Sequence, residues 1–211
     1  MAHTSDSAYQ QFWDTRYAAP EFGYGEAPNV FFNAWLPKFA PGHILMPAEG
    51  EGRNGVYAAR QGWQVTACDL SSQGKEKALA LASQHQVSLS YQVGDLEEMD
   101  FAPAQFDAIG LIYAHFLPAK KSLLHASLHK WLKPGGVIIF EAFGKNHLPF
   151  KKANPKVGGP GDLDMLYSTA EIEQGFAGYE IMHLAEEVVQ LNEGAFHIGE
   201  GSVVRFVGRK A

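Results

Sequence analysis

The sequence predicts an α/β fold in which helices cover both faces of a seven-stranded, mostly parallel sheet. Strand and helix signals alternate from about residue 43 to residue 143, and this alternation is typical of parallel strands joined by right-handed crossovers. A glycine-rich turn follows the first strand. Two β-rich segments close the chain, and the loop between them is too short for a parallel crossover, so we expect a C-terminal antiparallel hairpin. The predicted architecture is a Rossmann-like three-layer sandwich.

Size and composition indicate one globular domain. The chain has 211 residues, of which 46% are hydrophobic and 19% are charged, and this length suffices for a single large core. The N-terminal sequence MAHTSDSAYQQFWD lacks the basic and apolar stretches of a signal peptide. No apolar run approaches the roughly 20 residues of a membrane helix. We therefore expect a cytoplasmic protein, with no membrane partner, that is a monomer or a weak homodimer.

The net charge limits the kinds of binding partner that we expect, and the cysteine content limits the possible disulfides. The net charge is −6 and the isoelectric point is about 5.8. An acidic surface repels phosphate backbones, so we do not expect nucleic acid as a partner. A neutral or cationic small molecule suits it better. Cys68 is the one cysteine, which excludes an internal disulfide.

The parallel strands are predicted from short apolar or alternating segments. The segment FDAIGLIYAHF is a nearly continuous apolar run, as expected for a strand that is buried on both faces. The segment SLSYQVGD alternates between polar and apolar residues instead. In chain order, the five predicted strands cover residues 43–47, 64–69, 88–95, 106–116 and 136–143.

Three helices are predicted between these strands. Gly62 ends the first helix, and Ser71 is a good N-cap for the second, which carries alanine and leucine at helical spacing. The third is amphipathic and is stopped by the sequence KPGG. The predicted helices cover residues 53–62, 71–86 and 118–132.

The order of elements changes after residue 143. Residues 144–167 form a long polar stretch, and such a loop inside a compact domain is usually functional or disordered. A short helix with a capping box follows over 168–176, and the hairpin strands cover 180–191 and 202–208. Within the single domain we distinguish an N-terminal lid and helix (1–42), a cofactor-binding core (43–143) and a C-terminal part (144–211).

A ligand site is predicted at the carboxyl ends of the strands, where open α/β sheets bind their ligands. The stretch Ala48-x-Gly50-x-Gly52 follows the first strand, and its small residues allow close approach to the backbone at a helix N-terminus. Asp69 ends the next strand, 19 residues after Gly50, at the spacing of a carboxylate that binds ribose hydroxyls. Alternatively, Asp69 caps the helix that begins near Ser71.

A second carboxylate lies at the same predicted edge. Asp95, between Gly94 and Leu96, ends the third strand. Its carboxylate is suited to accept a hydrogen bond from an adenine amino group. The alternative is a loop aspartate that caps a turn.

The charge of the loop distinguishes between nucleotide-like ligands. Glu49 and Glu51 would repel the pyrophosphate of NAD. S-adenosylmethionine has the same adenosine, but a sulfonium cation and an amino acid replace the phosphates. An acidic loop tolerates the cation and can bind the ammonium group, unless both glutamates point to solvent. The loop therefore favours S-adenosylmethionine.

Several segments resemble class I S-adenosylmethionine-dependent methyltransferases. The resemblance is carried by ILMPAEGEGRNGVYAARQGWQVTACDLS, GDLEEMDF, FDAIGLIYAHF and LKPGGVIIFEAF. FWDTRY, YGEAPN and GGPGDLDMLYSTAEI are similar to the small bacterial branch of tellurite-resistance and thiopurine methyltransferases. Two positions depart from the family pattern. Ala48 replaces the usual first glycine, and Met46 stands where most members carry an acid, part of whose role falls to Glu49.

The resemblance implies methyl transfer from S-adenosylmethionine to a small-molecule acceptor by in-line displacement. Such a reaction needs alignment and exclusion of water more than it needs a catalytic triad. A general base is required only when the acceptor arrives protonated. Together, these observations assign the cofactor to Ala48, Glu49, Gly50, Gly52, Asn54, Asp69, Leu70, Asp95, Leu96 and Tyr113.

Acceptor-site candidates come from three parts of the chain. His115 follows Tyr113 at the end of the fourth strand, where it would orient an acceptor, take a proton, or be a satisfied structural histidine. An N-terminal segment folds over the cofactor as a lid in relatives of this type; alternatively, its aromatic residues only attach a helix to the core. The lid candidates are Trp13, Tyr17 and Tyr24.

The third part is the C-terminal hairpin, which offers His197 and Arg205. Arg205 lies among apolar residues, so it needs a partner, which is either an oxyanion or carboxylate acceptor or an internal acid. His125 and His129 lie four residues apart on a helix without an apparent third ligand, so we predict no metal site and expect both to face solvent. Cys68 lies in a predicted strand and is expected to be a core residue.

Two other functions remain open at this point. A nicotinamide-dependent oxidoreductase would share the nucleotide-binding half of the fold, but it would need a phosphate-friendly loop. A non-catalytic S-adenosylmethionine-binding protein would keep both the fold and the loop. Turnover with a panel of acceptors distinguishes it from an enzyme.

Overall fold

A computed structural model describes the backbone of residues 3–211, with side chains from residue 7 onward. Its seven strands form one sheet in the order β3-β2-β1-β4-β5-β7-β6. The strands are β1 (His43–Pro47), β2 (Gln64–Asp69), β3 (Ser90–Val93), β4 (Phe106–Ile112), β5 (Leu132–Phe143), β6 (Tyr179–Glu193) and β7 (His197–Lys210). The predicted fold class is confirmed.

Helices precede, connect and follow the parallel strands. Those described are α1 (His3–Tyr17), α2 (Val30–Trp35), α3 (Arg53–Arg60), α4 (Ser72–Gln84), α5 (Pro118–Trp131), α6 (Leu148–Ala153) and α7 (Thr169–Gly175). The side chain of Ser71 caps α4 by accepting from the Gly74 N–H, and Ser168 and Glu171 form the predicted capping box of α7.

The first five strands are parallel, and β7 runs antiparallel to both β5 and β6. Strand β6 therefore points the same way as the first five. The hairpin is longer than predicted because its ladder pairs Glu193 with His197 at the turn and Tyr179 with Lys210 at the far end.

Three predicted boundaries were wrong. β3 ends at Val93, because the side chain of Asp95 caps a short 3₁₀ turn over Leu96–Glu98. β4 ends at Ile112, because Tyr113 adopts a φ of 53° that leaves the extended conformation. β5 begins directly after α5, so the KPGG sequence lies in an irregular part of the strand rather than in a loop.

The stretch 144–167 is more ordered than the sequence suggests. It contains α6 and three 3₁₀ turns, Lys145–His147, Pro155–Val157 and Leu163–Met165. The side chains of Asn154 and Asp162 cap two of these turns by accepting backbone N–H groups. Local side-chain caps of this kind stabilise turns that have no hydrophobic periodicity to reveal them.

The core has two layers of side chains, one on each face of the sheet. On one face, Leu45, Ile109 and Phe140 pack with residues of α5 and α7. On the other face, Ile44 and Met46 pack with residues of α2, α3 and α4. The alternation along β1 follows from the two-residue period of a strand. Within residues 3–211, no helix is both long and apolar enough to cross a bilayer.

Candidate active site

A cavity of about 560 Å³ lies at the carboxyl ends of β1, β2 and β4. Helix α1 and the stretch 144–167 also contribute to its walls. The predicted site residues that line it are Trp13, Tyr17, Tyr24, Ala48, Glu49, Asn54, Asp69, Leu70, Asp95, Leu96, Tyr113, His115 and His197. Gly50, Gly52 and Arg205 were also predicted as site residues, but they are not among the residues that form its walls.

The two loop glycines serve packing within the protein. Gly50 and Gly52 have φ values of 58° and 89°, in the left-handed region that favours glycine. A Cβ atom on Gly50 would lie 2.5 Å from the hydroxyl of Tyr17, and one on Gly52 would lie 2.5 Å from the Cβ of Ala78. These two glycines therefore let α1 and α4 approach the loop, and their predicted contact with a cofactor stays a prediction.

Glu49 fills the N-terminus of α3. Its Oε1 accepts the backbone N–H of Gly55 at 2.5 Å, and the side chain is buried. Burial raises the pKa of Glu49 to about 8, although the Gly55 hydrogen bond and the nearby Arg53 oppose the shift. A helix N-terminus is the usual place for a phosphate in this fold. Here a carboxylate of the protein itself occupies it.

Glu51 joins three parts of the chain. Its carboxylate accepts the backbone N–H of Gly23 at 3.1 Å and pairs with Lys77 Nζ at 2.6 Å. The alternative that both loop glutamates point to solvent is wrong, since Glu49 and Glu51 are only 8% and 4% exposed. Both side chains line the cavity, and Glu51 also holds the segment before α2 against α4.

Asp69 connects the loop after β1 with the loop after β2. Its Oδ2 accepts the Gly50 N–H at 3.0 Å and its Oδ1 accepts the Ser71 N–H at 2.9 Å. Burial raises its pKa to about 6, against the two hydrogen bonds. The helix cap itself is Ser71. An ionised carboxylate has about four lone-pair sites, so Asp69 retains acceptor capacity toward the cavity that it lines.

Asp95 performs the turn-capping role that was its alternative assignment. Its Oδ1 accepts the Glu97 N–H at 3.0 Å. Its Oδ2 pairs with Lys120 Nζ at 2.6 Å, and Lys120 also contacts Glu97. The side chain still lines the cavity beside Leu96, so its adenine contact stays a prediction.

Helix α1 docks at the carboxyl edge of the sheet. Asp14 accepts a hydrogen bond from the Ser71 hydroxyl at 2.6 Å, and the rings of Trp13 and Tyr17 stack with centroids 5.4 Å apart. Arg16 donates to the hydroxyl of Tyr24 at 2.9 Å. These contacts bring the three predicted lid aromatics to one wall of the cavity.

His115 is engaged on both ring nitrogens. Nδ1 lies 3.0 Å from the Met165 carbonyl, and Nε2 accepts the Phe143 N–H at 3.2 Å. The two partners define the tautomer, with the proton on Nδ1. Burial lowers the pKa of His115 to about 3. This geometry favours the structural alternative over a role in proton transfer.

Tyr113 and His197 form a buried corner of the cavity. Their ring centroids are 4.4 Å apart, and the Tyr113 hydroxyl makes no hydrogen bond of ordinary geometry among residues 7–211. His197 Nδ1 lies 2.9 Å from Glu193 Oε2, and Glu193 also pairs with Arg53 at 3.2 Å. Glu193 and Arg53 were not predicted as site residues. The four-residue separation of Glu193 and His197 across a predicted turn was the available signal.

Arg205 belongs to an internal ion pair. Its guanidinium lies 2.6 Å from Glu141 and 2.6 Å from Glu187, and Glu141 also accepts from Asn29 at 2.6 Å. The oxyanion alternative for Arg205 is wrong, because an arginine on a largely buried strand needs a partner and finds it in the neighbouring strands.

The remaining sequence candidates are structural. Cys68 is buried in β2, and burial raises the pKa of its thiol. His125 was expected to face solvent, but its ring is partly buried and stacks on Phe176 with centroids 5.0 Å apart. His129 is exposed as expected. Among the described residues, no cluster of three or more histidines, cysteines or acids could hold a metal ion.

The donor set fits an adenosine with a cationic tail better than it fits a dinucleotide. In the loop after β1, the N–H groups of Gly50 and Gly55 already donate to carboxylates of the protein. They are not available to cradle a pyrophosphate. Asp69 instead adds negative charge to the cavity wall, which suits ribose hydroxyls. The pKa of Glu49, which burial raises to about 8, would fall beside a cation, so its carboxyl suits an ammonium or sulfonium group.

Comparison with known proteins points to methyltransferases. Residues 44–136 match the family model of the methyltransferase domain. A structure described as an S-adenosylmethionine-dependent methyltransferase from Anabaena variabilis superposes with a TM-score of 0.69 at 18% identity. The superposition covers 98% of this chain and 95% of the Anabaena chain. The domain match and the shared fold support a class I methyltransferase.

Two curated proteins are similar over most of the chain. The putative methyltransferase YqeM of Bacillus subtilis is 28% identical over 83% of this chain and 68% of its own length. The malonyl-[acyl-carrier protein] O-methyltransferase of Erwinia pyrifoliae is 27% identical over 81% of this chain and 70% of its own. Both proteins are named as methyltransferases.

Proposed function

We propose that this protein transfers the methyl group of S-adenosylmethionine to a small-molecule acceptor. One observation carries the proposal: the carboxylate of Glu49 occupies the N-terminus of α3 inside a cavity that Asp69 also lines. A pyrophosphate at that position would meet a buried acid in place of free N–H groups. This argues against the nicotinamide alternative and supports a ligand whose tail is positively charged.

The cofactor residues divide by the part of the ligand that each would bind. Asp69 accepts from the ribose hydroxyls, and Leu70, Asp95 and Leu96 surround the adenine. Ala48, Glu49, Asn54 and Tyr113 surround the methionine end. When bound, S-adenosylmethionine supplies an already activated methyl group on a sulfonium, so the protein contributes mainly alignment and a dry site.

The acceptor would lie between the lid aromatics and the stretch 144–167. Trp13, Tyr17 and Tyr24 cover this end of the cavity, and aromatic rings near a sulfonium add cation–π attraction. The cavity volume of about 560 Å³ is in the range of small-ligand sites. A small acceptor is therefore favoured over a protein-sized one.

The similar proteins do not define the acceptor. One of them acts on a malonyl group carried by a protein, and the likeness of the present sequence to tellurite-resistance and thiopurine enzymes suggests an oxyanion or a thiol instead. We propose an acceptor of the tellurite-resistance and thiopurine type, because the loop and lid motifs resemble those enzymes. We propose that the enzyme is a monomer or a weak dimer.

Calorimetry tests the ligand assignment. We expect S-adenosylmethionine and S-adenosylhomocysteine to bind in the micromolar range and NAD not to bind. Asp69→Ala should weaken S-adenosylhomocysteine binding by about 10- to 150-fold, the scale of a hydrogen bond to a charged group. Tighter binding of NAD than of S-adenosylhomocysteine would refute the assignment.

The control for this experiment is Asp107→Ala. Asp107 lies at the amino end of β4, away from the carboxyl ends of the strands, and pairs with Lys133. Its loss should therefore not change the affinity for S-adenosylhomocysteine. Asp69→Ala with normal folding and unchanged affinity would mean that Asp69 only orders its two loops. Formation of S-adenosylhomocysteine with an acceptor panel then separates an enzyme from a non-catalytic binding protein.

A further inference from the structure

We propose that His197 is the catalytic base of this enzyme and that it takes the proton of a hydroxyl or thiol acceptor. Glu193 is the positioning residue that orients the imidazole. The inference deepens the proposed methyl transfer and rests on it. It defines the acceptor chemically as a nucleophile that arrives protonated, unlike an oxyanion or a carboxylate.

The first support is the hydrogen bonding of His197. Its Nδ1 lies 2.9 Å from Glu193 Oε2, and a carboxylate partner places the proton on Nδ1. Glu193 is held in turn by Arg53 at 3.2 Å and by the Asn29 side chain at 3.2 Å. The opposite nitrogen, Nε2, therefore carries a lone pair, and no hydrogen bond joins it to any described residue.

The second support is a comparison of three histidines that surround one ring. His115, His147 and His197 all contact Phe143, with centroids 5.8, 4.0 and 5.2 Å away. His115 and His147 each bond backbone groups through both nitrogens. His197 differs because one of its nitrogens has no partner in the described protein, and the residue lines the cavity.

The third support is the hydroxyl of Tyr113. It is buried and makes no hydrogen bond of ordinary geometry among residues 7–211, although burial and the nearby Glu141 carboxyl raise its pKa, and its ring is 4.4 Å from that of His197. Leaving a buried polar group unpaired is costly. A ligand atom that donates to Nε2 and accepts from the Tyr113 hydroxyl would satisfy both groups. A hydroxyl or a thiol can do this and still keep a second lone pair for the methyl group, but an ionised oxyanion has no proton to donate.

Burial, more than the charges that face it, keeps the His197 ring neutral. Burial lowers its pKa, while the Glu193 carboxylate opposes the shift, and the Arg53 and Arg16 guanidiniums reinforce it. The other titratable groups against it are Tyr24, Tyr113, His115 and His147. Its imidazole is thus in the base form at neutral pH.

The proposed step conserves atoms and electrons. The bond between the acceptor atom X and its hydrogen breaks, and the proton passes to His197 Nε2. The electron pair on X forms the bond to the methyl carbon while the carbon–sulfur bond breaks, with its pair going to sulfur. The products are the methylated acceptor, S-adenosylhomocysteine and an imidazolium that returns its proton to solvent.

The first test needs no acceptor. Nitrogen-15 NMR of the ligand-free wild type should show His197 as the neutral Nδ1–H tautomer at pH 7. In Glu193→Gln, which removes the orienting carboxylate, we expect a mixture of both tautomers. A wild-type ring protonated on Nε2, or protonated on both nitrogens at pH 7, overturns the proposal.

The second test is methyl transfer at pH 7.5 to a phenol, which is protonated at this pH, and to a thiophenol that is already ionised. His197→Gln should lower turnover of the phenol by about 10²- to 10⁴-fold, the usual effect of a general base. It should lower turnover of the thiophenol by less than about tenfold. The control His129→Gln changes an exposed histidine of α5 and should affect neither reaction.

Calorimetry with S-adenosylhomocysteine separates this proposal from the proposed function. If wild type and His197→Gln bind it equally, the cofactor assignment stands and the turnover data decide the role of His197. If His197→Gln lowers turnover of the phenol and the thiophenol equally, His197 is not the catalytic base. The same conclusion follows if the wild type methylates only tellurite or a carboxylate. Absence of S-adenosylhomocysteine binding in the wild type refutes the proposed function itself.

Discussion

Glu49→Gln should make the protein more resistant to alkaline pH and weaken its binding of cofactor. The buried carboxyl of Glu49 has its pKa raised from 4.5 to about 8, and burial is the largest cause. In the unfolded chain this carboxyl ionises near pH 4.5. The folded state therefore holds a proton that the unfolded state has lost, and the free energy of unfolding falls as pH rises between these two values.

The structure gives the scale of this effect. Each pKa unit corresponds to about 1.36 kcal/mol, so the shift from 4.5 to about 8 corresponds to a loss of up to about 5 kcal/mol of unfolding free energy as pH rises through this range. Relaxation and water entry reduce such penalties, and we expect about 1.5 kcal/mol in practice. Glutamine keeps an oxygen for the Gly55 N–H, and it cannot ionise.

Urea denaturation at pH 5 and at pH 8 measures the difference. A buried amide that lacks a partner lowers stability equally at both pH values, so the change between them isolates the ionisation. The variant should gain about 1.5 kcal/mol on the wild type from pH 5 to pH 8. Its affinity for S-adenosylhomocysteine should fall about tenfold, the loss of one charged hydrogen bond.

The matched control is Glu51→Gln in the same loop. Glu51 is paired with Lys77, and removing one partner of a buried pair should destabilise the protein at both pH values. Equal stability changes at pH 5 and pH 8 for Glu49→Gln would show that the folded protein does not hold this carboxyl protonated. The proposal that the Glu49 carboxyl is buried at the N-terminus of α3, in the place where this fold usually binds a phosphate, would then be wrong.

Three further predictions concern packing and the lid. Gly50→Ala should lower stability by about 2 kcal/mol, because the residue is left-handed and its Cβ would collide with Tyr17; wild-type thermal melting would refute this. Arg205→Met should cost about 3 kcal/mol by leaving the buried Glu141 unpaired. It should not alter S-adenosylhomocysteine affinity, since Arg205 does not line the cavity. Hydrogen exchange over residues 12–24 should slow with S-adenosylhomocysteine, and unchanged protection would make these aromatics structural.

The parallel core could be predicted because burial determines its pattern. The bounds of β1 and β2 agree with the sequence, where apolar runs are closed by Pro47 and Asp69. The end of β4 could not be predicted in the same way. Tyr113 and the residues after it are as apolar as the strand, and only the left-handed backbone of Tyr113 ends the extended segment.

Residues that meet through the hairpin were beyond the reach of local patterns. Arg53 and Glu193 are separated by 140 positions in the sequence, yet they are joined by a hydrogen bond of 3.2 Å. Neither residue carries a motif of its own. The register of β6 on β7 decides that Glu193 lies opposite His197, and one residue of slippage of β6 would move the Glu193 side chain to the other face of the sheet.

The loop after β1 shows that the structure supports an expectation for a reason different from the one the sequence suggested. Its acidic sequence predicts that a phosphate is disfavoured, on the ground of repulsion by two charges. In the structure the two acids act differently. Glu51 is neutralised by Lys77, whereas Glu49 takes the Gly55 N–H at the start of α3. We therefore expect the loop to disfavour phosphate mainly because the backbone N–H groups that would bind it already donate to Asp69 and Glu49. An acid placed six residues before a helix N–H is visible in a sequence, but its direction depends on the left-handed residues between them.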